Sequence, residues 1–196
     1  MFVPEGKHRV FLAMPTSLEE RRAILSVQEQ VKPYFPGLHW IPEDNLHITL
    51  QFFGEVGQQR LGQICHQLPS LVNGIEPFTL ELYAIGFFGS LHVPRVLYLK
   101  QRDLPEAMKQ LTRRVYIAFA APDERSFRAH LTIGKFNNKL GYDYSEALSN
   151  IACDDPISYA RFTPIPWEIN RVVLYESIFE GRAVRYEEAI SVPLLG

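Results

Sequence analysis

The sequence has few cysteines, no long apolar run and almost no excess of either charge. Its two cysteines among 196 residues, Cys65 and Cys153, stand 88 positions apart without C-x-x-C spacing, so neither a disulfide framework nor a zinc ribbon is predicted. The first 15 residues contain no apolar stretch preceded by a basic region, and the apolar run 115–121 is far too short to span a bilayer. We therefore expect a reduced, cytoplasmic protein with no membrane contact.

The charged residues nearly balance, with a formal net charge of −2. A protein that coats nucleic acid through counterion release is usually strongly basic. We therefore expect that any RNA partner is bound through one end of the RNA and not along its length. Several small basic clusters occur, and a solvent-exposed surface is the ordinary interpretation of each. They are Arg21 with Arg22, Lys109 with Arg113 and Arg114, Arg125 with Arg128 and Lys135, and Arg182 with Arg185.

The first half of the chain predicts a strand, a helix and a second strand, in that order. Residues 9–12 are typical of a buried strand, and Ser17-x-x-Glu20 is a capping box at the start of a helix. One apolar stripe marks this helix, which Pro36-Gly37 ends. The stripe consists of Ile24, Val27, Val31 and Tyr34. The β-rich segment 46–50 follows.

The second half repeats the same order. Residues 95–98 predict a strand, a helix with Pro105 near its first turn follows, and residues 129–133 are again β-rich. The helix stripe consists of Leu104, Met108, Leu111 and Val115. From Arg9 to His47 is 38 residues and from Arg95 to His130 is 35, so two units of near-equal size carry the same pattern. We interpret this as an internal duplication.

The remaining segments complete an α+β pattern. A shorter helical stretch is predicted after each β-rich segment, around residues 61–68 and 147–151. Residues 78–82 alternate as a strand does, and residues 167–194 predict two strands or more with a turn at Glu180-Gly181. The expected fold is one domain, residues 1–196, of two pseudo-symmetric lobes without a linker.

The duplicated segments carry the chemistry. His47-Ile48-Thr49-Leu50 and His130-Leu131-Thr132-Ile133 share the pattern His-x-Thr-x, in which apolar residues alternate with the polar pair. On a strand, each histidine and threonine point to one face while the apolar residues anchor the other. Composition alone predicts about 0.2 His-x-Thr triplets in the chain. A lone histidine on a strand is usually structural, so the repeat carries the functional interpretation.

Two such imidazoles suit an in-line displacement at phosphorus. The incoming nucleophile and the departing sugar oxygen lie on opposite sides of the phosphate, so a base is needed on one side and an acid on the other. Histidine serves either role because its ordinary pKa of about 6.5 is close to working pH. The hydroxyls of Thr49 and Thr132 can donate to the non-bridging oxygens, and this scheme requires neither a metal nor a cofactor.

Other polar residues give weaker signals. His8, His39, His66 and His92 stand outside the repeat and lack the spacing of a zinc site, so we interpret them as structural. Arg128 precedes His130 by two positions and would share its face if the strand began that early. It is then a further candidate for contact with a phosphate.

The two tetrads resemble those of the two-histidine (2H) phosphoesterase superfamily, and more narrowly its RNA 2′,3′-cyclic phosphodiesterases, also called 2′-5′ RNA ligases. The resemblance extends through residues 9–13, 51–54, 95–98 and 174–177 and covers nearly the whole chain. It implies a bilobed, pseudo-two-fold α+β fold in which antiparallel sheets face a central cleft and helices lie outside. It also implies that His47 is the proton donor and His130 the acceptor, roles that the symmetric pattern itself leaves open. Ala129 and Lys135 stand where the family often has proline and arginine.

Three functions follow as alternatives. The resemblance implies hydrolysis of RNA 2′,3′-cyclic phosphate ends to 2′-phosphates, with 2′-5′ ligation as a related reaction. A relative acting on a small nucleotide, such as a cyclic phosphate of ADP-ribose or a 2′-5′ oligonucleotide, would carry the same motifs. A non-catalytic nucleotide-binding module would not need both histidines. The expected partners are RNA 3′ ends or nucleotides with a cyclic phosphate, without an obligate protein partner.

Overall fold

Antiparallel strands dominate the computed structural model, which describes residues 6–119, 128–152, 162–181 and 183–196. Arg125, Cys153, Arg182 and the last two residues of the apolar run 115–121 lie outside the described residues. The strands are β1 His8–Pro15, β2 His39–Trp40, β3 His47–Val56, β4 Phe78–Gly89, β5 Pro94–Gln101, β6 His130–Lys135, β7 Ile165–Ile169, β8 Arg171–Glu180 and β9 Ala183–Pro193. The α-helices are α1 Leu18–Val31, α2 Gln58–Val72, α3 Glu106–Phe119 and α4 Ser145–Ala152.

These strands form one sheet whose order is symmetric about its middle. The order is β7-β4-β5-β6-β3-β1-β8-β9, with the short β2 pairing off this path with β6. Each half places a His-x-Thr-x strand at the centre and its preceding repeat strand beside it, as β3 next to β1 and β6 next to β5. The two halves join through the β3–β6 pairing, in which Ile48 lies opposite Leu131. The duplicated α+β fold predicted from the sequence is confirmed.

The burial pattern along β3 and β6 follows the predicted alternation. Ile48, Leu131 and Ile133 are completely buried, and Leu50 is nearly so. The residues between them are only partly buried. The apolar side therefore belongs to the core, and the histidine–threonine side faces a cleft.

Helix α1 begins where the sequence predicts but ends before Tyr34, the last residue of its predicted apolar stripe. The backbone N–H of Ser17 donates to Glu20 at 2.6 Å, as a capping box requires. The α-helix ends at Val31, and a one-turn 3-10 helix continues over Lys32–Tyr34. This change of pitch leaves Tyr34 39% exposed and buries Phe35 instead, so the assignment of Tyr34 to the stripe was wrong.

The remaining helices match their predictions in place but not always in length. Met108, Leu111 and Val115 are buried on α3, which begins just after Pro105. Helix α2 has 15 residues against 14 in α1, so it is not the shorter stretch that we expected. Among the described residues, no helix is both long and apolar enough to cross a bilayer.

A buried amide connects α1 to the centre of the sheet. The side-chain nitrogen of Gln28 donates to the carbonyl oxygens of Ile41 and Ile133, at 3.0 and 2.9 Å. Ile133 ends the second His-x-Thr-x tetrad, while α1 belongs to the first repeat. Gln28 therefore fixes a helix of one repeat against the His-x-Thr-x strand of the other.

The substitution Gln28→Ala should lower the free energy of unfolding by about 2 kcal/mol, because the hydrogen bonds from Gln28 to the carbonyl oxygens of Ile41 and Ile133 are lost and a small cavity remains. Urea unfolding followed by circular dichroism measures this. The matched control is Gln30→Ala on the same helix. The exposed amide of Gln30 donates to Ser26, and the effect of this control should stay within about 0.5 kcal/mol. Equal stability of the two variants would contradict the role given to Gln28.

Candidate active site

The structure brings His47, Thr49, His130 and Thr132 into one cleft with a cavity volume of about 440 Å³. Since Ile48 lies opposite Leu131 in an antiparallel pair, the flanking residues of both strands share the opposite face. His47 and His130 then occupy diagonal positions, for which Cβ atoms are separated by roughly 7 Å. A phosphoryl group fits between two side chains at this spacing.

The hydrogen bonds of His47 define its tautomer. Its Nδ1 lies 2.8 Å from the carbonyl oxygen of Asn45, which can only accept, so Nδ1 carries a proton. Its Nε2 lies 3.1 Å from Oγ1 of Thr49. In the neutral ring, Nε2 therefore accepts a hydrogen bond from the threonine hydroxyl, and the nitrogen that faces the cleft is the unprotonated one.

Burial lowers the pKa of His47 to about 4. The hydrogen bond to the Asn45 carbonyl opposes this effect, whereas the positive charge of Lys135, and that of His130 when its ring is protonated, lower the pKa further. Aromatic rings account for much of the burial, with the centroid of Phe11 at 4.8 Å and that of Tyr186 at 5.4 Å from the imidazole. At neutral pH the imidazole of His47 is thus uncharged.

His130 has a similar backbone anchor in a different environment. Its Nδ1 lies 2.6 Å from the carbonyl oxygen of Arg128 and so also donates, which leaves Nε2 toward the cleft. Phe88 and Tyr98 contact the ring edge-on, at centroid distances of 4.8 and 5.5 Å. The two imidazoles therefore both donate from Nδ1 to a backbone carbonyl but have different surroundings.

The position of Arg128 differs from the sequence expectation. Strand β6 begins at His130, so the condition under which Arg128 would share its face is not met. Arg128 contributes its backbone carbonyl to the histidine, and its side chain is not part of the cleft lining among the described residues.

Sequence reasoning missed several residues that line the cleft. His39 was interpreted as structural, but it is exposed to the cleft beside Lys135, its partner in the β2–β6 pairing. Arg9 lies at the cleft on β1. The aromatic residues Phe11, Phe52, Phe179 and Tyr186 also contribute to its walls. No local pattern marks these residues, because strands distant in sequence bring them together.

In the part of the chain that the structure describes, no three histidine, cysteine, aspartate or glutamate side chains come together as a metal site would require. Cys65 lies half-buried on α2, away from the cleft lining.

Comparison with known families matches residues 15–178 to the 2′-5′ RNA ligase superfamily. The chain is 29% identical over 186 residues to the RNA 2′,3′-cyclic phosphodiesterase of Thermotoga maritima, covering 91% of this chain and 99% of that protein. It is 27% identical over 191 residues to the protein of the same name from Geobacillus stearothermophilus. That alignment covers 95% of this chain but only 57% of the relative.

Solved structures with the same fold include Escherichia coli LigT. The complex of LigT with 3′-AMP superposes with a TM-score of 0.71 at 25% identity, over 97% of this chain and 99% of LigT. A protein of Thermus thermophilus superposes with a TM-score of 0.70 at 22% identity, over 95% and 97% of the two chains, and supports the fold alone.

The imidazole of His47 should titrate with a midpoint near pH 4 in protein without added nucleotide, as measured by NMR of its ring nitrogens. The variant Lys135→Gln should raise this midpoint, because one positive charge that disfavours the protonated ring is removed. The control Lys109→Gln, on α3 beside Glu106, should leave it unchanged. A midpoint at the ordinary pKa of about 6.5 would contradict the burial argument.

Proposed function

The chain belongs to the 2′-5′ RNA ligase superfamily, and on this basis we propose that it hydrolyses RNA 2′,3′-cyclic phosphate ends to 2′-phosphomonoesters with His47 and His130 as an acid–base pair. The observation that carries the proposal is the diagonal placement of the two imidazoles in one cleft, each with Nε2 directed to it. The names of the Thermotoga and Geobacillus relatives support the same reaction.

The reaction exchanges one P–O bond for another. The base accepts a proton from water as the water oxygen attacks phosphorus, and the bond from phosphorus to O3′ breaks. The acid then gives its proton to O3′, which leaves a 3′-hydroxyl and a 2′-phosphate. The phosphate charge passes to the non-bridging oxygens during attack, where the hydroxyls of Thr49 and Thr132 can donate.

We assign the donor role to His47 and the acceptor role to His130, as the family resemblance implies. A pKa near 4 means that His47 must gain its proton when substrate binds. A phosphate anion at about 4 Å attracts an imidazolium by roughly 4 kcal/mol at an effective dielectric constant near 20. This attraction is comparable to the burial penalty, so binding would raise the pKa of His47 and release Thr49 to the phosphate.

Two further activities are consistent with the same acid–base pair. Joining of RNA halves through a 2′-5′ linkage would be a reversal of related chemistry and would use the same residues. A small nucleotide carrying a cyclic phosphate would also enter the cleft. Because the superfamily motifs serve all of these substrates equally, product analysis is the deciding experiment.

Incubation with adenosine 2′,3′-cyclic phosphate in excess chelator should yield adenosine 2′-phosphate, since both catalytic groups are side chains. Chromatography against authentic 2′- and 3′-monophosphates identifies the product. A 3′-phosphate would contradict the proposed direction of cleavage. Binding without any product would indicate a nucleotide-binding module instead.

Single substitutions of either histidine by alanine should lower turnover by about two to four powers of ten, the usual effect of a general acid or base. Thr49→Val or Thr132→Val should lower turnover by about tenfold, because one neutral hydrogen bond is lost. His66→Ala, exposed on α2, is the matched control and should retain activity. Full activity of either His47→Ala or His130→Ala would refute its assignment.

A further inference from the structure

One end of the cleft carries a cation between two aromatic rings. The guanidinium carbon of Arg9 lies 5.1 Å from the ring centroid of Phe52 and 5.7 Å from that of Phe179. All three residues line the cleft, and we call them the rim cluster. Phe52 is 49% and Phe179 62% exposed, and together they form an exposed aromatic patch at the cleft. The rim cluster therefore offers both a positive charge and exposed aromatic surface.

The charge of Arg9 is not neutralised by a carboxylate among the described residues. Its cross-strand neighbour Glu55 forms an ion pair with Lys7 instead, at 3.6 Å. Aromatic faces hold the guanidinium in place while leaving its N–H donors available. Such a group suits a phosphodiester oxygen, and exposed aromatic rings suit the face of a nucleobase.

The rim cluster lies beyond the first nucleotide's place in the cleft. Along β1, Ala13 pairs with Thr49, and Arg9 is four residues farther from the catalytic motif, or about 13 Å. The ring of Phe11 lies between, 4.8 Å from His47 and 6.4 Å from Phe52. A nucleotide whose cyclic phosphate sits between the two histidines would fill the region around Phe11 before reaching Arg9.

We propose that the rim cluster binds the second nucleotide from the RNA end, with Arg9 on the phosphodiester that precedes the terminal ribose and the rings of Phe52 and Phe179 against the next base. This inference rests on the proposed function and deepens it by assigning a binding site for the second nucleotide. The preferred substrate is an oligonucleotide end, and a mononucleotide cyclic phosphate uses only the inner part of the cleft.

The test compares ApA 2′,3′-cyclic phosphate with adenosine 2′,3′-cyclic phosphate as substrates. For the wild type, kcat/KM for the dinucleotide divided by kcat/KM for the mononucleotide should be about ten or more, because one stacked base contributes about that factor to binding. Phe179→Ala and Arg9→Ala should each lower this ratio about tenfold. Dissociation constants for ApA 2′-phosphate and adenosine 2′-phosphate, measured by calorimetry on the same proteins, should show the same change.

The chain provides a matched control in a second cation–aromatic pair. Arg102 lies 5.3 Å from the ring centroid of Tyr83, outside the cleft lining. Tyr83→Ala and Arg102→Ala should keep the wild-type ratio. A wild-type ratio near one, or equal ratios in rim and control variants, would overturn the inference. If neither compound is hydrolysed, the proposed function fails, and the calorimetric ratios still decide whether the rim cluster binds a second nucleotide.

Discussion

The candidate site depends on one strand pairing, that of β3 with β6 through Ile48 and Leu131. Each repeat alone provides an imidazole and a hydroxyl on the face of a strand. The pairing converts these separate features into a single cleft, because antiparallel neighbours present their polar residues on a common face. Both partner residues are completely buried, so the core that stabilises the sheet also fixes the separation of the two histidines.

Duplication provides two similar histidines, and their surroundings make them different. Each ring donates from Nδ1 to the backbone carbonyl two residues earlier, Asn45 for His47 and Arg128 for His130. His47 is enclosed by Phe11 and Tyr186 and bonded to Thr49, whereas His130 meets the edges of Phe88 and Tyr98. The difference that the proposed acid and base roles require therefore comes from the walls of the cleft, which the repeat does not duplicate.

The sequence predicts what depends on local periodicity. The alternation in the two tetrads, the capping box at Ser17 and the turn at Glu180-Gly181 each express a constraint within a few residues. The wrong assignment of Tyr34 to the helix stripe also has a local cause, because the α-helix changes to a 3-10 turn at Pro33. Patterns of this kind locate the strands that carry the candidate site.

The same patterns do not predict contacts between segments that are distant in sequence. Gln28 has its acceptors at Ile41 and Ile133, and the relevance of Arg9 appears only once β8 and β9 place Phe179 beside it. His39 reaches the cleft because the short strand β2 pairs with β6. These neighbours are set by strand order and register, which a single sequence does not encode in any short window.

The strand order also has a consequence for synthesis on the ribosome. One half of the sheet, β4 to β7, is continuous in the chain, whereas the other combines β1 and β3 with the last strands, β8 and β9. The edge of β1 that receives β8 remains unpaired until β8 has been made, 156 positions after β1 ends (Pro15 to Arg171). An unpaired strand edge can associate with other chains. The nascent protein would then be most exposed to aggregation, and most in need of chaperones, before the β8–β9 hairpin emerges.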